Sequence, residues 1–125
     1  MTYTNAQLEA MAKSLEPVMK SRTLVGYKAA VNMRAIMDAI ADYEAFRNEL
    51  IHEYGTEVRD DSGNVVNFAV TPECEGYQEF LRRLGEVSEV ERDVEIMKAT
   101  PDDVIRVLSG EEIMAIDWMM EHGGE

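Results

Sequence analysis

Between Gly26 and Gly55 the chain contains neither glycine nor proline. Those two residue types are the strongest helix breakers, so the interval from Tyr27 to Tyr54 predicts one helix of about seven to eight turns. Ala29, Met33, Ile36, Ile40, Tyr43, Leu50 and Tyr54 recur at alternating spacings of four and three, and Arg47 fills the one slot where an apolar residue is missing. That rhythm places them on one face. Met37, Phe46 and Ile51 widen it. A helix of this length should carry packing along both sides, so the rest of the fold is expected to lean on it.

The flanking sequence supplies the other elements. Thr4 and Gln7 form a capping-box pattern. Leu8, Met11, Leu15 and Met19 follow at helical spacing, which predicts a first helix over 4–19, kinked or ended by Pro17. The connector Ser21–Gly26 is short enough to fold that helix back on the long one as an αα-hairpin. After Gly55 the pattern changes. Thr56–Arg59 and Val65–Val70 flank Asp60-Asp61-Ser62-Gly63-Asn64, a strong turn signal, and predict a β-hairpin. Thr71-Pro72-Glu73 reads as a helix start, with Thr71 as cap and Pro72 at the first helical position. Cys74, Tyr77, Leu81 and Leu84 form the stripe of that helix, with Phe80 and Val87 beside it and Gly76 within it.

Val90, Arg92, Val94 and Ile96 then alternate with Glu91, Asp93, Glu95 and Met97. Period two predicts a strand pairing with the hairpin, continued helix being the alternative. Thr100-Pro101-Asp102-Asp103 opens a short helix, and Ser109 with Glu112 opens a last one running through Ile113, Ile116, Trp118 and Met120 to Gly123-Gly124. The sum is a helix-dominated α+β fold in a single domain, residues 1–125. It has a long central helix with its αα-hairpin, a small antiparallel hairpin or three-stranded sheet, and C-terminal helices.

Charge narrows the function classes. The net charge is −13. Residues 1–34 hold five basic and two acidic residues, so this part is +3 and the remainder −16. Such a balance argues against direct nucleic-acid binding and leaves either a self-repelling surface or a surface made for a basic partner. No apolar run has the roughly 18 residues a membrane span needs. Met1-Thr2-Tyr3-Thr4-Asn5 lacks the features of a signal peptide, and a single cysteine fits a reducing, cytoplasmic setting.

Three constellations touch known chemistries. Glu49 and His52 have the Glu-x-x-His spacing of di-iron bundles, but the other histidine, His122, has Met119 where a second glutamate is required. Cys74 falls at the third position of its predicted helix, where the dipole could lower its pKa, and it also falls in the apolar stripe. Asp60, Asp61 and Asn64 surround Gly63 as in a calcium loop, but Val58 and Ala69 occupy the first and last ligand positions of that pattern. The plainer readings are a surface histidine, a buried thiol and a hairpin turn. No catalytic residue, metal site or cofactor is expected, and an enzyme is the last of the function classes.

Two surfaces remain as candidate sites. Glu91, Asp93, Glu95, Asp102 and Asp103 belong to the densest acidic stretch. On a strand, Glu91, Asp93 and Glu95 share a face at intervals of roughly 7 Å, similar to two steps along a nucleic-acid strand of about 3.4 Å each. Such a row could occupy a basic groove meant for nucleic acid. Arg22, Lys28 and Arg34 lie around the start of the long helix, where unpaired N–H groups and the positive dipole end could hold an anion.

The capped first helix, Ser21-Arg22, Glu53-Tyr54-Gly55 at the end of the long helix and the Asp61-Ser62-Gly63 turn resemble small phage and prophage proteins of uncharacterised function. The resemblance covers residues 5–120 in layout. It implies a viral or prophage origin, a bacterial cytoplasm and, by analogy, an interaction protein such as an anti-CRISPR inhibitor of host defence. The leading expectation is therefore a non-enzymatic protein that blocks a nucleic-acid-handling host machine, its partner a host protein with a basic surface. The alternatives are a nucleotide-signal sponge using Arg22, Lys28 and Arg34, and an oligomeric phage assembly factor. A homo-oligomer is expected from Trp118-Met119-Met120, because three consecutive helical residues cannot all face one core.

Overall fold

A computed structural model describes residues 2–121. The chain opens with a short strand, β1 (Thr2–Thr4), that runs directly into α1 (Asn5–Leu15). Thr4 ends the one and caps the other. Its Oγ1 accepts the Gln7 N–H at 3.1 Å, and Gln7 Oε1 accepts the Thr4 N–H at 2.8 Å. Pro17 follows the helix, and a 3-10 turn at Val18–Lys20 leads away from it.

The long helix, α2, spans Leu24–Tyr54. It starts three residues before the predicted point, with Gly26 inside its first turn. Both the Gly26 and Tyr27 N–H groups donate to the Thr23 carbonyl. A Cβ at Gly26 would stand 1.9 Å from the Ser21 carbonyl oxygen. Glycine is therefore needed here for close backbone approach and not to interrupt the helix. Ala29, Ile36, Ile40, Tyr43 and Leu50 are buried as the spacing requires. Arg47 occupies the vacant slot with its guanidinium 5.5 Å from the centre of the Tyr43 ring, so the aromatic face accepts a cation where an aliphatic side chain was expected.

The chain divides into two compact units, one formed by the residues up to Ile40 with those from Glu91 onward, the other by Ala41–Val90. In the first, β4 (Glu91–Asp93) pairs antiparallel with β1, Thr2 opposite Asp93, Tyr3 opposite Arg92 and Thr4 opposite Glu91. The expected partner was the hairpin. The N-terminal residues take that place, with Thr2–Thr4 extended and running directly into the Thr4 cap of α1. Beyond β4 come two short helices at the predicted starts, α4 (Pro101–Val104) and α5 (Gly110–Ala115); the second opens with its predicted capping box, Ser109 with Glu112, and the first with one formed by Thr100 and Asp103. The core of this unit includes Leu8, Leu15, Val18, Val25, Ile36, Ile116 and Met119, each fully shielded from solvent. Burial of side chains of this size contributes about 1.5–3 kcal/mol apiece.

The last helix ends earlier than predicted. After Ala115 the chain makes a 3-10 turn at Asp117–Met119 and then an extended bridge that joins Met120 to Ala99. This change of backbone lets Met119 and Met120 both be buried, while Trp118 is half-buried and donates from Nε1 to Ser14 Oγ at 3.0 Å. None of the three is left exposed, so the helix-geometry argument for an oligomer loses its premise. His122 and Gly123-Gly124 lie outside the described residues.

The second unit holds the hairpin, β2 (Thr56–Arg59) and β3 (Val65–Ala69), with a bulge between Val58 and Arg59. Asp60 Oδ1 accepts the N–H groups of Ser62 and Asn64, and Gly63 adopts φ +83°. The carboxylate of the supposed calcium loop is thus engaged in shaping the turn. The hairpin stays two-stranded.

The next helix, α3 (Tyr77–Ser88), begins well after Pro72. Thr71–Cys74 forms a turn, and Gly76 at φ +81° precedes the helix. A left-handed residue cannot continue a right-handed helix, which explains the late start. Gly76 also lies against Tyr54, whose ring would be 2.9 Å from an added Cβ. The buried stripe is rotated as a result. Phe80 is buried, edge-on to Tyr54 with ring centroids 6.3 Å apart, while Leu81 is exposed.

Candidate functional site

Cys74 lies outside the helix. Its sulfur receives the Thr71 N–H at 3.3 Å and lies 3.6 Å from the Thr71 hydroxyl. These hydrogen bonds hold the thiol below its ordinary pKa, the Thr71 backbone bond most strongly. The thiol is buried, which fits its place in the packing of this unit. His52 is exposed, donates from Nδ1 to the Asn48 carbonyl at 2.8 Å, and stacks at a tilt on Phe68. Among the described residues no group of His, Cys, Asp and Glu is placed to hold a metal ion.

The two candidate surfaces meet at one point. Lys28 Nζ donates to Asp103 Oδ2 at 2.7 Å, and both side chains are largely shielded. Asp103 Oδ2 also accepts the Thr100 N–H at 2.8 Å, closing the α4 capping box. The lysine, then the Thr100 amide, keep the Asp103 carboxyl below its ordinary pKa. A residue proposed for an anion and one proposed for a basic partner thus neutralise each other. Arg22 and Arg34 are both exposed. Asp102 is exposed on the first turn of α4.

Glu91, Asp93 and Glu95 are all exposed. Glu91 and Asp93 stand on one face of β4, opposite Thr4 and Thr2. Regular pairing stops at Asp93, yet the alternation persists. Val94 is buried, Glu95 exposed, Ile96 half-buried and Met97 exposed. The cause is Asn32. This asparagine sits fully buried in the middle of α2. Its Oδ1 accepts the Met97 N–H at 2.7 Å and its Nδ2 donates to the Met97 carbonyl at 3.0 Å. One side-chain amide thereby supplies both bonds that a neighbouring strand would supply, and the run past Asp93 is held without a strand partner. Nδ2 also lies 3.5 Å from Met119 Sδ.

Beside this run lies an open groove of about 510 Å³, lined by Tyr3, Val31 and Val94–Lys98. Its lining is mainly apolar, with Glu95 and Lys98 the charged members. Lys98 reaches across to donate from Nζ to the Trp118 carbonyl at 3.1 Å. Neither Asn32 nor the groove was anticipated from sequence. The available signal was an asparagine, a poor helix former, placed mid-helix beside an apolar stripe.

Comparison with protein-family models, with curated proteins and with solved structures gives no match. No described helix is long and apolar enough to cross a membrane.

Proposed function

We propose that the chain is a non-enzymatic interaction protein of phage or prophage origin that works in the bacterial cytoplasm. It occupies the basic surface of a nucleic-acid-handling host machine, in the manner of an anti-CRISPR inhibitor. The observation that carries this reading is the display of Glu91, Asp93 and Glu95, all exposed, on backbone fixed by β1 on one stretch and by Asn32 on the next. Fixed charges meet a partner without the entropy loss of ordering a flexible tail. Asp102 extends the acidic surface, whereas Asp103 contributes to α4 and its pair with Lys28.

Association of this kind is driven by charge complementarity, so it is fast, salt-sensitive and competitive with DNA or RNA. The test is capture of partners from a bacterial lysate by the wild-type chain and by the E91Q/D93N/E95Q variant, at low and moderate salt and with competing nucleic acid. Loss of capture in the variant, at unchanged thermal stability, is the expected result. Full capture by the variant would sink the reading.

A further inference from the structure

We propose that residues 94–98 accept an extended partner segment with alternating apolar and basic residues, which adds as a strand beside them. This deepens the acidic-surface reading and rests on it. Three observations converge. The first is the groove of about 510 Å³ along the segment, with Tyr3, Val31, Val94 and Ile96 among its lining residues; it is large enough for one or two apolar side chains.

The second is hydrogen-bonding capacity. Met97 has its N–H and carbonyl bound to Asn32. Among the described residues, no hydrogen bond engages the backbone N–H or carbonyl of Glu95, Ile96 or Lys98. Ile96 and Lys98 alternate with the Asn32-bound Met97, so their main-chain groups lie on the opposite edge of the run, and such an edge is a template for an added strand.

The third is the alternation of chemistry along the run. Tyr3 lies opposite Arg92 in the sheet and so shares its face. Val94 and Ile96, the next residues of the same parity, turn inward, while Glu91, Asp93 and Glu95 have the opposite parity and are exposed. A strand added here sees Val94 and Ile96 on one face and the Glu95 carboxylate on the other, with Asp93 and Glu91 following at intervals of about 7 Å where it continues along β4. The occupant that satisfies both is a polypeptide with apolar side chains on one face and lysine or arginine on the other. A chain of uniform positive charge lacks the groups that fill the groove.

The test uses the full chain and fluorescent synthetic octapeptides: alternating Lys-Val, a block isomer of the same composition, and octalysine. The alternating peptide should bind at least tenfold tighter than either control. N-methylation of its backbone at every second residue, in the register that pairs, should weaken binding at least tenfold, while the other register is tolerated. The amide protons of Ile96 and Lys98, which alternate with the Asn32-bound Met97, should gain protection from exchange when the peptide binds. V31W, which fills the groove, should weaken binding at least tenfold. Equal binding of the block isomer, indifference to both N-methylation registers, or no gain of protection at those amides overturns the proposal. If those negatives occur while E91Q/D93N/E95Q still abolishes binding of all three peptides, the acidic-surface reading stands and only the docking edge falls. Indifference of every peptide to the triple substitution removes both.

Discussion

Replacing Asn32 by aspartate changes one buried atom from a donor to an acceptor, and the consequence can be bounded. In the wild-type chain Nδ2 donates to the Met97 carbonyl at 3.0 Å, and Oδ1 accepts the Met97 N–H at 2.7 Å. An ionised carboxylate at this position would keep the second bond and turn the first into a contact between two acceptors, inside a site fully shielded from water. Burial and the facing carbonyl both disfavour the charged form, so the carboxyl would be held protonated in the fold, where its O–H can replace the lost donor. Protonating an ordinary aspartate at pH 7 spans about three pH units, at about 1.4 kcal/mol each. The variant should therefore lose about 4 kcal/mol at pH 7, and not much more, since protonation is always available as an escape. The folded pKa is raised, so the stabilising state is the protonated one and stability is lost as pH rises. The gap to wild type should shrink by about 1.4 kcal/mol for each unit the pH is lowered, to about 2 kcal/mol at pH 5.5. Urea unfolding of both proteins from pH 7.5 to 5.5 measures this directly. A gap under about 1 kcal/mol at pH 7, or one that does not move with pH, refutes the view that Asn32 stands in for a strand.

Lys28→Met should cost about 1–3 kcal/mol in urea unfolding at pH 7, because it leaves the shielded Asp103 carboxylate without its cation. Asp103 is depressed from its ordinary value of 3.8, so its contribution is present above that value and is lost as pH falls through the folded pKa. The difference between variant and wild type should therefore narrow at pH 3. Gly26→Ala ordinarily gains up to about 1 kcal/mol in a helix. Here the added methyl meets the Ser21 carbonyl at 1.9 Å, so thermal unfolding should show a loss of about 1–3 kcal/mol instead.

Local physics dominates wherever the sequence reading matched the structure. The unbroken course of α2 from Tyr27 to Tyr54, the Thr4 and Ser109 caps and the Asp60–Asn64 turn each depend on residues within a few positions of one another, and these are found as read, only the first turn of α2 lying earlier than expected. The failures share a different cause. The strand at Glu91 pairs with Thr4, far earlier in the chain, and nothing in a period-two pattern names its partner. Thr71-Pro72 carries a genuine helix-start signal that Gly76 overrides by turning left-handed against Tyr54. Trp118-Met119-Met120 looked too apolar for one face because a helix was assumed, and the 3-10 turn removes that constraint. Among candidate site residues, Glu91, Asp93 and Glu95 are exposed together, while Lys28 and Asp103 were assigned to opposite surfaces and form one pair. Long-range pairing of charges, like long-range pairing of strands, leaves no trace in spacing.

The hairpin sets a condition on handling this molecule. Every residue of β2 is exposed, as are Val65, Val66 and Asn67 of β3, and among the described residues no further strand pairs with either outer edge of the sheet. An uncharged Val-Val-Asn-Phe-Ala run beside such an edge is chemically able to pair with its copy in another molecule. At neutral pH the net charge of −13 keeps such copies apart. Near pH 4.5, the isoelectric point, that repulsion vanishes while the edges remain. Acidity thus acts on this protein as a colloidal variable, removing the charge that holds its exposed edges apart.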